Sequence, residues 1–298
     1  MNLLTVDIGN TDIKFGLFED SQLTRFWRVS GSLDNTPERF SAALRKELSL
    51  HNAHFDAMIY SSVVPDIADT LKKTMAFCYP GASEAIPVDP GRMKLPLRGS
   101  RYPVAQLGLD RLVNACGAAM MHPGRGVIVL DFGTATTLNV VGPDGVFLGG
   151  AIAPGFEIFT EILSRRTARL GTIPLALPEN AIGTDTLSAM QSGLVHGYRG
   201  LIRELLQQIT NELVQESGLP ARQWWVVATG GRADFFNQLA LSLELREGRH
   251  PGAEKPVQCS FFDAVDPVWT LKGLYCLYHY NYSKNISPKT SAMTLATL

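Results

Sequence analysis

From residue 3 the chain alternates short apolar runs with polar, glycine-bearing turns. The first run, Leu3 to Val6, stops at Asp7-Ile8-Gly9-Asn10-Thr11 before apolar positions resume from Ile13 to Phe18. The pattern returns at Val127 to Leu130, followed by Asp131-Phe132-Gly133-Thr134 and a second run from Leu138 to Val141. Each copy predicts a β-hairpin whose glycine eases the turn and whose open tip is rich in backbone donors. Two such copies predict a duplicated α/β domain. Asp56 to Val64, which Pro65 ends, and Trp225 to Ala228, which runs into Thr229-Gly230-Gly231, read as central strands with functional loops at their C-terminal ends.

Two segments carry a helical apolar face. Leu201 to Val214 places Leu201, Ile202, Leu205, Leu206, Ile209 and Leu213 on one side, with Gly218 and Pro220 as its stop. Phe156 to Leu170 turns Ile158, Phe159, Ile162 and Leu163 inward and carries Arg165, Arg166 and Arg169 near its end, where cations suit the helix dipole. Pro87 to Tyr102 reads as an irregular excursion before a helix that opens near Asp110. The Pro and Gly cluster from Met121 to Gly126 predicts a boundary between an N-terminal domain, 1–122, and a C-terminal domain, 123–282. Residues 283–298 lose periodicity and bulk and are expected to form a flexible tail.

Composition narrows the function. A length of 298 residues suits about two domains, and 45% hydrophobic with 18% charged residues is ordinary globular usage. The 27 basic and 28 acidic residues leave a net charge of −1. That balance argues against a broad basic surface for nucleic acid or an anionic membrane and favours small polar ligands. Met1 to Thr5 lacks a basic leader and no apolar run is long enough to span a bilayer, so a cytoplasmic protein without a membrane segment is expected. Cys78, Cys116, Cys259 and Cys276 have no paired spacing and are expected to be reduced and mostly buried. The six histidines show no metal-ligand spacing.

The first hairpin tip offers backbone N–H groups, the Thr11 hydroxyl and the Asp7 carboxylate, which suit a nucleoside triphosphate with its metal, and Lys14 adds a point charge. The competing reading is a tight turn in which Asp7 and Asn10 bond the local backbone, and a second matched copy counts against it. The second tip, with Thr134, Ala135, Thr136 and Thr137, is expected to embrace phosphate from the other side. Such a clamp needs neither a P-loop nor a Rossmann glycine pattern, and neither is present. Thr229-Gly230-Gly231 either lets backbone approach adenosine or is a glycine-rich strand-to-helix turn. Gly149-Gly150 and Pro154-Gly155 are turns whose density suggests an approaching ligand, while Trp224 and Trp225 read as packing.

Gly108-Leu109-Asp110-Arg111 joins a carboxylate that could accept an alcohol proton to a guanidinium that could hold phosphoryl oxygens. Alternatively, Asp110 is the N-cap of a helix whose Leu112, Val113 and Cys116 face inward.

Six ordered motifs, DIGNT from Asp7, SSVVP from Ser61, GLDR from Gly108, DFGTATT from Asp131, GGAIAPG from Gly149 and TGG from Thr229, give a specific resemblance. The chain resembles the type III pantothenate kinases. That resemblance implies an α/β fold of the actin-like ATPase (acetate and sugar kinase, heat-shock, actin) superfamily, with two duplicated ribonuclease H-like domains. It implies ATP-dependent phosphorylation of pantothenate to 4′-phosphopantothenate, the first step toward coenzyme A. Asp7, Ile8, Gly9, Asn10, Thr11, Asp12, Ile13, Lys14 and Thr134 would then bind ATP with Mg2+. Asp110 would be the base with Arg111 beside it, and Tyr102, Gly108, Leu109, Asp110, Arg111 and Thr186 would contact pantothenate. Asp131 would hold a monovalent cation, K+ or NH4+, and the protein would be a homodimer with no nucleic-acid or membrane partner. Two departures stand out. Tyr102 lies one residue closer to Gly108 than the family spacing, and Asp12 replaces an Asn common among relatives, a negative charge expected to weaken ATP binding. The rival reading is a non-catalytic transcriptional accessory factor on the same fold, which would have no need of Asp7, Asp110, Arg111 and Asp131 together.

Overall fold

The computed structural model describes residues 1–30, 37–50, 54–78, 85–166, 173, 176–238 and 262–282. The expected tail after residue 282, Arg169 and Cys259 lie outside the described residues.

β1 (Asn2–Ile8), β2 (Asp12–Glu19), β3 (Gln22–Ser30), β4 (Ala57–Ser62) and β5 (Ala85–Pro87) form a five-stranded sheet in the order β3-β2-β1-β4-β5. β1 runs antiparallel to β2, with Asp7 opposite Lys14, and parallel to β4, with Asp7 beside Ser61. Being central and covered on both faces, β1 is buried almost throughout, which explains why it reads as a continuous apolar run. Leu4, Val6, Ile8, Phe15, Trp27 and Met58 share one core cluster, with the Phe15 and Trp27 rings stacked at 5.1 Å. Helices α1 (Pro37–Leu50) and α2 (Pro65–Cys78) accompany this sheet in sequence. Pro65, which ends the sequence-predicted strand, opens α2, where the missing N–H costs nothing.

β6 (Gly99–Ser100), β7 (Gly126–Phe132), β8 (Ala135–Val141), β9 (Val146–Pro154), β10 (Trp224–Gly230) and β11 (Ala264–Val265) form a second sheet, ordered β11-β10-β7-β8-β9-β6. The remaining helices are α3 (Leu109–Met121), α4 (Phe156–Arg166), α5 (Thr186–Ser217), α6, described over 233–238, and α7 (Trp269–Tyr282). Both sequence-predicted hairpins are present, as β1-β2 and β7-β8.

The chain divides into two compact units: Met1–Val127 with Asn139–Gly149 and Val268–Leu298, and Ile128–Leu138 with Gly150–Pro267. Compactness therefore groups α7 with the first half of the chain, whereas the repeat pattern assigns it to 123–282. The packing explains the return of α7. A Cβ on Gly117 of α3 would lie 3.1 Å from Gly273 Cα of α7, so the paired glycines let the two backbones approach closely. Thr270 Oγ1 donates to Asn114 Oδ1 at 2.9 Å, and Phe18 of β2 stacks on Tyr275 at 4.5 Å. Cys116 and Cys276 are free and buried on these helices, and burial pushes both thiols up, Cys276 to about 12.

Two helices differ from the sequence reading. α5 begins at Thr186, well before Leu201, because Leu194, Val195, Tyr198 and Ile202 continue its buried face through glycines at 193, 197 and 200 that look like breaks. Asp185 caps it by accepting from the Ser188 N–H, and Gly218, at φ 69°, ends it as anticipated. In α4, Ile162 is 58% exposed and does not face inward; Phe156 and Phe159 instead pack their rings on Tyr198.

Candidate active site

The first hairpin holds Asp7 near the end of β1, 8% exposed. Its Oδ1 accepts from Ser61 Oγ at 2.9 Å, and its Oδ2 lies 3.7 Å from Lys14 Nζ. The carboxylate is thus aimed by a neighbouring strand and a cross-strand cation, and the local-turn reading of Asp7 gives way. Gly9 closes the turn, its N–H donating to Asp12 O at 3.0 Å. Asn10 and Thr11 are exposed at the tip, whereas the Ile8 and Ile13 side chains are buried, leaving only their backbone for a ligand. Asp12 sends its carboxylate to Arg28 Nη1 of β3 at 3.3 Å. Arg28 offsets the extra negative charge that the sequence set beside the tip.

Around α3 the N-cap is Gly108, with no side-chain cap bond, and Asp110 falls within the first helical turn. The N-cap reading of Asp110 is therefore corrected: Gly108 is the cap and Leu109 the first helical residue, which puts Asp110 two positions past the cap. A negative charge there is favoured by the helix dipole. An ideal Cβ on Gly108 would meet Asp110 Oδ1 at 2.6 Å, so the glycine makes room for the carboxylate. Successive helical side chains diverge, and Arg111 turns away from its neighbour: its Nε donates to Asn139 Oδ1 of β8 at 2.7 Å. The guanidinium, on a residue only 6% exposed, also lies 5.5 Å from the centre of the Tyr102 ring. Tyr102 thus joins the Gly108–Arg111 segment despite its shifted spacing, and its edge meets Phe147 at 6.4 Å.

In the second unit, Asp131 lies within β7, half-buried, and Thr134 is exposed at the hairpin tip. Thr136 and Thr137 are buried in β8 and do not form part of an open tip; the Thr136 hydroxyl is bonded to that of Tyr198. The strand starts at Ala135, which draws both residues into the sheet. Burial, as the largest influence, pushes the Tyr198 phenol up to about 12 and keeps it neutral. Gly230, at φ +92°, ends β10 so close to β7 that a Cβ would sit 2.5 Å from Asp131 Oδ1 and 2.6 Å from Phe132 O. Gly155 likewise packs against the tip, its N–H donating to Thr134 O at 3.0 Å. These two glycines are thus explained by backbone meeting backbone and side chain within the fold. Thr186 is exposed as the first residue of α5.

The sequence reading missed the roles of Ser61, Asn139, Arg28 and Tyr198. Asn139 carried a signal, a polar residue between Leu138 and Val140 in an apolar strand. Among the described residues no group of three or more His, Cys, Asp or Glu gathers for a metal, and no helix is long and apolar enough to cross a membrane.

Comparison with known proteins shows the family to which the chain belongs. A family model described as type III pantothenate kinase matches residues 3–208. A type III pantothenate kinase of Dehalococcoides mccartyi (strain ATCC BAA-2266 / KCTC 15142 / 195) is 32% identical over 94% of this chain and 98% of its own. One from Geobacillus sp. (strain WCH70) is 33% identical over 95% and 99%. Among solved structures, a Baf family protein from Campylobacter jejuni superposes with a TM-score of 0.52 at 18% identity, covering 92% of this chain and 96% of the other. That likeness concerns the fold alone.

Proposed function

Because the chain belongs to the type III pantothenate kinase family and so phosphorylates pantothenate with ATP in coenzyme A biosynthesis on an actin-like α/β fold, we propose that Asp110 is the base of this reaction. The alcohol oxygen of pantothenate attacks the γ-phosphorus, the bond to the ADP oxygen breaks, and the alcohol proton passes to the Asp110 carboxylate. The observation that carries this reading is the close fit of Asp110 against Gly108, on a helix turn whose next residue, Arg111, is held by Asn139 and Tyr102. Arg111 holds the acceptor or its phosphoryl oxygens, and Tyr102, Gly108 and Leu109 line the pantothenate pocket beside it.

The tip from Asp7 to Lys14 binds ATP through its backbone N–H groups, Thr11 and Lys14. Mg2+ arrives with the triphosphate. Asp7 suits it as a single protein ligand, since this ion keeps waters and phosphate oxygens around itself. Asp131 suits K+ or NH4+: its Oδ1 and the Phe132 carbonyl crowd the space that a Cβ on Gly230 would fill, an all-oxygen donor set. When bound, the two cations supply neutralisation of phosphate charge. The two hairpins open duplicated domains over 1–122 and 123–282, and the protein works as a cytoplasmic homodimer.

A transcriptional accessory role is not favoured, because curated relatives matching nearly the whole chain are pantothenate kinases. The deciding experiment is a coupled ADP-release assay with pantothenate, ATP and Mg2+, run in K+, NH4+ or Na+ alone. Pantothenate-dependent turnover lost in Asp110→Asn, with folding intact, supports the base. Full turnover in that variant removes it, and equal turnover in Na+ alone removes the cation at Asp131.

A further inference from the structure

Asn139 has no part in the motif reading of this chain, yet it meets the guanidinium assigned to the substrate. It sits fully buried in β8, at 0% exposure, between Leu138 and Val140. A buried amide on an apolar strand is costly unless its oxygen and nitrogen are satisfied. Its Oδ1 accepts from Arg111 Nε at 2.7 Å, the short length of a hydrogen bond to a charged donor.

Three features make this contact more than packing. Nε is the inner donor of the guanidinium, so a bond there orients the plane while leaving the outer Nη edge for a ligand. The Tyr102 ring lies 5.5 Å from Cζ and restricts the group from a second direction. Among the described residues, Asn139 is the only hydrogen-bond partner of the Arg111 guanidinium, although the residue is 6% exposed. A buried cation held at its inner nitrogen, with its outer edge unused by those residues, is prepared for an oxygen-rich ligand. The partner is also neutral. An aspartate would hold the same nitrogen but cancel the charge needed for a carboxylate or phosphoryl group, whereas an amide orients the guanidinium and leaves that charge intact.

We propose that Asn139 is a positioning residue of the kinase, acting through Arg111 to set the acceptor subsite. This inference rests on the assignment of Arg111 to pantothenate given above. The test is steady-state kinetics on the full chain with Asn139→Leu, Arg111→Leu and the double variant, varying pantothenate and ATP separately, with thermal melting alongside. The Leu side chain keeps the size of Asn139 and removes its acceptor. Expected in Asn139→Leu is a rise in KM for pantothenate of roughly ten- to hundredfold, the scale of a hydrogen bond to a charged group. KM for ATP should stay within about twofold, and the double variant should be no worse than Arg111→Leu alone, because both remove one interaction.

If Asn139→Leu does not fold, Asn139→Ser, whose hydroxyl stops short of Nε, is measured in the same way. Normal KM for pantothenate in a folded Asn139 variant, beside a damaged Arg111→Leu, overturns the positioning role alone. So do losses that multiply in the double variant, or an equal rise in both KM values. Unchanged kinetics in Arg111→Leu removes the Arg111 assignment and the positioning role with it.

Discussion

Ser61 Oγ donates to Asp7 Oδ1 at 2.9 Å, joining residues 54 positions apart in the chain. The parallel pairing of β4 with β1 sets Ser61 beside Asp7. The two motifs thereby become one device, in which the strand that ends in SSVVP aims the carboxylate of DIGNT. Ser61→Ala leaves that carboxylate beside Lys14, across β2. KM for ATP should rise several-fold, with a stability loss of about 1 kcal/mol, the ordinary scale of one hydrogen bond. Kinetics with ATP varied, together with urea unfolding, checks both values. An unchanged KM would separate Ser61 from ATP binding.

Gly108→Ala should injure chemistry more than folding. The added methyl would stand 2.6 Å from Asp110 Oδ1, so the carboxylate must move. The helix should survive, because exchanging a glycine N-cap for alanine costs on the order of 1 kcal/mol or less. The expected result is a fall in kcat of tenfold or more with little change in melting temperature, since misplacing a base by a fraction of an ångström is expensive. Retained kcat would show that the carboxylate position is not critical.

Arg28 and Asp12 form a charge pair at 3.3 Å beside the tip of the first hairpin, which we propose binds ATP. Both are partly exposed, so the pair itself is worth little, roughly 0.2–1 kcal/mol. Its larger consequence is electrostatic, since Arg28→Gln leaves the Asp12 charge unopposed next to incoming phosphates. KM for ATP should rise a few-fold at low salt and less at high salt, and Asp12→Asn should cancel the effect of Arg28→Gln. Kinetics of the two single variants and the double variant at two ionic strengths decides this. Persistence of the Arg28→Gln defect in the Asp12→Asn background would mean that Arg28 acts on the nucleotide directly.

Stability should also depend on pH through α7. His279 packs its ring on Tyr275 at 4.2 Å, and burial, then the N-terminal ammonium, lowers its value from 6.5 to about 4. Between these values the unfolded chain binds a proton that the folded chain refuses, so stability is complete above about 6.5 and declines as pH falls toward 4. His122, stacked on Trp269 and lowered by burial and then by Arg125, adds in the same direction. His279→Gln should flatten this acid limb relative to the parent chain, as read from melting temperature across the range. An identical slope would exclude His279 as its source.

The amino-acid sequence by itself determined both hairpins, the central strands β4 and β10, the Gly218 stop of α5 and the residues of the Gly108–Arg111 segment. All of these depend on local pattern: a short apolar run, a glycine at a turn, a glycine stop at a helix end. Tertiary structure alone decided where the side chains found partners. Arg111 turned from its sequence neighbour to Asn139, Asp7 met Ser61, Asp12 met Arg28, and Thr136 left the second tip for Tyr198. The return of α7 to the first unit, through Gly117 and Gly273, was equally invisible in the chain order. The reason is physical: periodicity reports which face a residue presents, whereas hydrogen-bond partners and close backbone approaches are set by strand register and helix packing between distant segments.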